Sequence, residues 1–245
     1  MMNASMVEHF DAHFEVVPVR DEATRREVFR LRFSVYCEEL AYEDVNAFPD
    51  GEEHDSFDVD SQFALLRHRA TGRAAGCVRL IVTTHKPELH FPFESACAGR
   101  LDPKFNDPET FDRTRVGEIS RLAIHQDFRR RKGESHTPEG ASEPQSHVDG
   151  NRRYPLIAMG LFMSAAALAL NSGLEQVIVM MEPRLARLLT ACGIRFTPVG
   201  EVIDHHGRRG PFRICPADLN QSLPADSQLL LQSLIRTLGQ EPQAL

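Results

Sequence analysis

Residues 154–170, YPLIAMGLFMSAAALAL, run into Asn171-Ser172-Gly173 and then, at 176–181, into QVIVMM. The first run is almost wholly apolar. A membrane span needs about 20 such residues. This run is shorter, is rich in Ala and Gly, and ends in a helix-stop signal. The apolar stretch Gln176–Met181 that follows reads as a strand. A buried helix feeding a buried strand is the pattern of an α/β domain, so no transmembrane segment is expected.

Working outward, Pro183–Cys192 reads as a helix closed by Gly193, turning at once into a strand over Ile194–Val199. A last strand near Phe212–Cys215 and a helix near Ser227–Leu238 follow. Upstream, His13–Val19 reads as a strand and Asp21–Leu40 as a helix with Asp21 as N-cap. Glu43–Asp60 is acidic and irregular. Gln62–His68 and Ala74–Thr83 read as strands joined by a turn at Thr71-Gly72, and Arg115–Ile124 as another. Pro87–Asp112 reads as loop with short helical turns. Arg129–Arg153, rich in Gly, Pro, Ser and His, reads as a long mobile loop. The sum is a mixed α/β sheet flanked by helices. We expect one domain over residues 1–245, with a helical extension from about residue 217.

The 245 residues are 42% hydrophobic and 26% charged, enough for a sizeable core. A net charge of −7 argues against nucleic acid as a partner. Glu8, Asp11 and Glu15, with no apolar run, predict no signal peptide. Cys37, Cys77, Cys97, Cys192 and Cys215 are odd in number and lack metal-ligand or redox spacing. Reduced thiols in the cytoplasm and no metal site are therefore expected.

Several residues look misplaced. Arg32 shares its helix face with Val28, Phe29, Val35 and Tyr36, so its charge either reaches solvent or needs carboxylates. Glu53, Asp55 and Asp58, in the pattern Glu-x-Asp-x-x-Asp, are partners or a solvated acidic face. In the strand Glu118–Ile124, period two puts Glu118 and Ser120 with Leu122 and Ile124, and Arg121 with Ile119 and Ala123. Arg79 raises the same question inside its own strand. Charged groups gathered in a core mark a candidate site.

Together these residues resemble the acyl-homoserine lactone (autoinducer) synthases and the N-acyl amino acid synthases. The pattern reads Leu31-Arg32-x-x-Val35-Tyr36, Tyr42, Glu53-x-Asp55-x-x-Asp58, Gly76-Cys77-Val78-Arg79-Leu80 and Glu118-Ile119-Ser120-Arg121. It spans about residues 25–125, in order. Both groups have the GNAT (acyl-CoA N-acyltransferase) fold, whose last helix and strand Leu185–Phe196 resembles. The tryptophan usual in autoinducer synthases is absent, with Tyr42 near its place. The polar loop and C-terminal extension resemble acyltransferases of PEP-CTERM/exosortase systems. The resemblance thus implies an acyltransferase that moves a fatty acyl group from acyl carrier protein, or acyl-CoA, to a small amine such as an amino acid. S-adenosylmethionine is the alternative acceptor, and a non-catalytic acyl-binding protein the alternative role.

Amide formation from a thioester needs a neutral amine and a stabilised oxyanion. Glu53 and Glu118 are the candidate bases, with Arg121 in the catalytic set. Asp55 and Asp58 suit an ammonium; Arg32, Arg79 and Arg121 suit a carboxylate. Tyr36 and Ser120 complete the acceptor set. The resemblance implies that the donor lies along Leu122, Ala123 and Ile124, with a backbone N–H as oxyanion donor. Phe128, Arg129, Arg130, Arg131 and Gly133 stand where GNAT enzymes cradle a pyrophosphate. The four cations from Arg129 to Lys132 suit an acidic carrier protein or form a solvated run. Ala158, Gly160 and Ala165 leave room for an acyl tail or allow close packing. No tightly bound cofactor is expected; the thioester donor is a substrate.

Overall fold

The computed structural model describes residues 6–83, 85–106, 111–129, 145–146, 152–153 and 156–239. Ten strands are seen among them: β1 Phe14–Pro18, β2 Ser61–His68, β3 Ala74–Val82, β4 Val116–Ile124, β5 Gln145–Ser146, β6 Arg152–Arg153, β7 Gln176–Met181, β8 Thr197–Pro198, β9 Ile203–Asp204 and β10 Arg208–Ile214. The main sheet runs β1-β2-β3-β4-β7-β10-β8, with β9 on β10, and β5 pairs β6 separately. Every pairing is antiparallel except β4 with β7.

The helices are α1 Met6–His13, α2 Glu22–Arg32, α3 Pro92–Ala96, α4 Leu156–Asn171, α5 Pro183–Ala191, α6 Leu219–Ser222 and α7 Ala225–Gly239. Asp21 caps α2 as expected, its carboxylate accepting from Thr24 N–H at 2.7 Å. The predicted helix to Leu40 does not continue as α: Phe33–Glu39 winds as a π-helix. Such widened turns are frequent at functional sites. Helix α1 precedes the first element expected from the sequence, the strand from His13. The strand expected over Ile194–Val199 shrinks to β8, because it pairs with β10 only through Thr197 and Pro198. No helix among the described residues is long and apolar enough to cross a membrane.

Helix α4 explains the opening run of sequence. Its residues pack in one cluster with sheet residues such as Leu66, Val78, Leu80 and Ile124 and with Leu230, Leu231 and Leu234 of α7. A helix covered on both sides has no polar face to show. Gly160 was expected either to leave acyl room or to allow close packing, and the structure shows the packing. The place of its missing Cβ is filled by Phe10 of α1, whose ring would stand 2.2 Å from an added methyl carbon. Gly→Ala inside a helix normally stabilises by about 1 kcal/mol. Here Gly160→Ala is expected to reverse that sign and cost about 1–2 kcal/mol through overpacking, read by urea or thermal unfolding. A net gain would show that Phe10 has room to yield.

Candidate active site

Arg32 is fully buried on α2, as its apolar neighbours require. It donates from Nε to Glu53 at 2.5 Å and from Nη1 to Asp58 at 2.7 Å. Arg79, on β3, donates from Nη1 to Asp55 at 2.6 Å and Asp58 at 2.7 Å, and from Nε to Ser120 Oγ at 3.0 Å. Arg121, on β4, donates to Glu53 and, at 2.8 Å, to Glu43. Three guanidiniums thus interleave with four carboxylates. The acidic segment is held for this by a turn at Ser56–Asp60, in which Asp55 and Asp58 form a capping box. Burial opposes the charge on Asp58, but Arg32 and Arg79 outweigh it and hold the carboxyl below its usual range. Burial likewise opposes the charge on Arg32, and Glu53 with Asp58 keeps it firmly protonated.

The strand β4 departs from simple alternation. Between the pairs Cys77↔Ala123 and Arg79↔Ser120, β3 has one residue and β4 has two. This is a β-bulge, and Arg121 within it has φ +50°. The faces expected from period two are therefore corrected. Ile119, Leu122 and Ile124 pack toward α4, while Ala123 joins Cys77 and Val35 on the α2 side. The bulge turns Arg121 to the α2 side as well, over the Tyr36 ring at 5.3 Å. Tyr36 Oη donates to the Leu122 carbonyl at 3.0 Å, clamping the same kink. Ala41 (φ +51°) and His206 (φ +51°) are the other non-glycine residues with positive φ among those described. All three lie beside or within the cavity wall. Such strain persists only where the surroundings enforce it, and it gathers at functional sites.

That cavity has a volume of about 360 Å³. Pairing of β4 with β7 ends at Ile119↔Val179, and the cavity opens beyond. Its apolar part is lined by residues such as Phe162, Ala165, Ala166, Met181, Leu189 and Leu219. Its polar part takes Asp55, Arg79, Glu118, Ser120 and Arg121, with Tyr36 and Tyr42 as an aromatic wall. Glu118 is 2% exposed and accepts from Phe93 N–H at 3.1 Å. Burial pushes its carboxyl up to about 8, against the pull of that N–H and of Arg79. It is therefore mostly protonated at neutral pH, and loses its proton just above.

The predicted residues separate into two groups. Tyr36, Asp55, Arg79, Glu118, Ser120, Arg121 and Leu122 line the cavity. Arg32, Glu53 and Asp58 stand behind them, sealed in the ion network. Ala123 and Ile124 are core residues, and Phe128 packs near His68 and His125. Arg129 is not a solvated cation: its side chain is 3% exposed and pairs with Glu39. Arg130, Arg131 and Gly133, with most of the loop Arg129–Arg153, lie outside the described residues. Ala165 does line the cavity, as expected for an acyl tail, whereas Ala158 is core. Cys37 and Cys77 are core thiols. Burial pushes Cys77 up to about 12, and it donates to the Arg121 carbonyl. No group of metal-ligating side chains occurs among the described residues. Sequence reasoning missed Glu43, Phe93 and the turn carrying His205, His206 and Arg209. The adjacent histidines before Gly207 were its only signal.

Residues 31–138 match the acetyltransferase (GNAT) domain family. The acyl-homoserine-lactone synthase of Pseudomonas fluorescens is 22% identical over 202 residues, 82% of this chain and 83% of that protein. The CoA-dependent acyl-homoserine lactone synthase BjaI, solved with SAM and isopentyl-CoA, superposes with a TM-score of 0.56 at 21% identity. That likeness covers 91% of this chain and 89% of BjaI. FeeM, an N-acyl amino acid synthase from uncultured soil microbes, gives 0.55 at 12% identity, covering 86% and 94%. The fold is the GNAT fold, and the chain is an acyl-transferring enzyme.

Cutting one partner from a buried network leaves a bare charge and costs about 3–5 kcal/mol. Asp58→Asn should lower stability by about that much at pH 7. Because Asp58 is depressed in the folded state, its contribution is present above the unfolded value near 3.9 and fades as pH falls below it. Denaturant unfolding of both proteins from pH 7 to pH 3 should show the gap closing.

Proposed function

We propose that the chain transfers a long-chain fatty acyl group from an acyl carrier protein thioester, or acyl-CoA, to the amine of an amino acid or similar small molecule. The observation that carries this is one cavity joining an apolar channel to a polar mouth that holds a buried carboxyl. The channel suits an acyl tail, and the mouth suits an amine and its protons. Asp55 attracts the acceptor's ammonium, and Glu118 as carboxylate takes one of its protons, directly or through water, so that the neutral amine attacks the thioester carbonyl and the C–S bond breaks to release the donor thiol. A β4 backbone N–H beyond Ile119, where β7 no longer pairs, is available to the thioester oxyanion. Arg121 fixes the mouth. Arg32, Glu53 and Asp58 act as positioning residues, holding Arg121 and Arg79 rather than touching substrate. Ser120 orients Arg79, and Tyr36 sets the bulge.

The reading extends to a cytoplasmic enzyme served by acyl carrier protein, and to a setting like that of the exosortase-associated acyltransferases. The second reading, an acyl-homoserine lactone synthase, is favoured by the P. fluorescens relative. Its mark is methylthioadenosine released from S-adenosylmethionine.

Acyl carrier protein thioesters of C8 to C18 acids, with a pool of amino acids, should release free thiol and N-acyl amino acids detectable by mass spectrometry. No transfer across all donors and acceptors would overturn the proposal. Glu118→Gln should lower kcat by about 100- to 10,000-fold. Since the base form lies above pH 8, wild-type kcat/KM should climb with pH toward a plateau there. The variant should lose that limb, and a folded variant with wild-type rates would remove Glu118 from the chemistry.

A further inference from the structure

The cations first assigned to a substrate carboxylate are already engaged. Arg32, Arg79 and Arg121 spend their guanidiniums on Glu43, Glu53, Asp55 and Asp58. Arg32 keeps one bare nitrogen, Nη2, but away from the cavity, whereas Arg209 has no ion pair among the described residues. It lines the same cavity, yet its Nε and Nη2 are sealed from solvent and find no hydrogen-bond partner among the described residues. A buried donor left bare is costly, and an anionic ligand is what would satisfy it.

The position of Arg209 follows from the β9–β10 hairpin. Arg209 pairs with Ile203 and directly precedes the pair Gly210↔Met181 at the end of β7. It therefore sits where β4 and β7 have parted. The hairpin turn carries His206 (φ +51°) and Gly207 (φ +98°), and His205 N–H donates to the Gly207 carbonyl at 2.8 Å. That turn lays His206 on Tyr42, with ring centroids 4.5 Å apart and nearly parallel. The Arg209 guanidinium lies over the same ring at 5.7 Å. Tyr42 and Tyr36 are neighbours at 6.4 Å, so one aromatic wall seats both Arg121 and Arg209. Arg121 there is neutralised and Arg209 is not. Burial and nearby cations lower both histidines, so they stay neutral near pH 7 and do not compete for an anion as charges.

We infer that Arg209 holds the carboxylate of the acceptor, which is therefore a small α-amino carboxylate rather than a plain amine. This rests on the acyl-transfer reading above. An amino acid places its carboxyl carbon two bonds from the amine, matching a cation at the mouth beside Arg121. The phosphate of a phosphopantetheine arm is instead carried far from its thioester, so a donor phosphate fits this position poorly. Arginine recognises a carboxylate by a forked, two-bond contact that lysine cannot reproduce.

Each acceptor amino acid is offered as the free acid and as its carboxamide, to wild type, Arg209→Ala and Arg209→Lys. Wild type should prefer the acid. Arg209→Ala should raise KM for the acid about 10- to 100-fold while leaving the carboxamide and the donor unchanged, and Arg209→Lys should recover part of it. Equal use of acid and carboxamide by wild type would overturn the inference while leaving acyl transfer intact. So would a rise in donor KM alone, which would assign Arg209 to the phosphate. If wild type transfers to nothing, the acyltransfer reading falls separately. Ligand-observed NMR of acid against carboxamide then decides the carboxylate site, with equal or absent binding counting against it.

Discussion

Arg32 has no route to water, and its neighbours on α2 leave none to be found. Its charge is tolerable only because Glu53 and Asp58 meet it, and those carboxylates in turn bind Arg121 and Arg79. Each member is therefore a condition for the next. The network joins α2, the acidic turn, β3 and β4, so the helix layer and the sheet cannot shift independently near the cavity. Such arrangements are seldom the most stable way to fill a core. Their value here lies in geometry: the side chains at the cavity mouth are fixed before substrate arrives, which is what preorganised catalysis demands.

The π-helix and the β-bulge complete that geometry. The π-turns bring Tyr36 round so that its hydroxyl meets the carbonyl of Leu122, next to Arg121 in the bulge. The bulge lets one strand present Glu118, Ser120 and Arg121 to the site while Ile119 and Leu122 still cover α4. A regular strand would have sent Arg121 into the apolar side. Glu118, left without a cation of its own, keeps a raised carboxyl value close to Asp58, which Arg32 and Arg79 hold as an anion. Two carboxylate behaviours thus coexist, one at the cavity and one behind its wall, because their partners differ.

Much of this was legible in the residues. Strands β2, β3, β4 and β7 and helices α4 and α5 follow from periodicity and from Gly and Asn stops. Arg32 and Arg79 were visible as charges placed where apolar residues belong, and Asp58 as one of the candidate carboxylate partners in the acidic stretch. What stayed hidden depends on backbone states that residue type does not encode. Arg121 adopts positive φ without being glycine, and that choice is imposed by its tertiary surroundings. Arg209 was invisible for another reason. Its segment, Gly207-Arg208-Arg209-Gly210, reads as an ordinary polar turn until β10 is laid beside β7. The motifs shared with acyl-homoserine lactone and N-acyl amino acid synthases ended near residue 125, and most of the donor residues expected beyond it lie outside the described residues. Arg129 pairs with Glu39, a contact that its place in a run of four cations did not reveal.

The burial of α4 between the sheet and the pair α1 and α7 has a consequence for how the protein is made. The outer surface of α4 is closed by residues 230–238, and Arg20 is tethered to the carbonyl of Leu238 at 2.9 Å. During synthesis the sheet-forming residues and α4 emerge first, and that greasy outer surface waits for α7 to leave the ribosome. A nascent chain at that point resembles a folded enzyme with its lid off, attractive to chaperones and prone to sticking to its own copies.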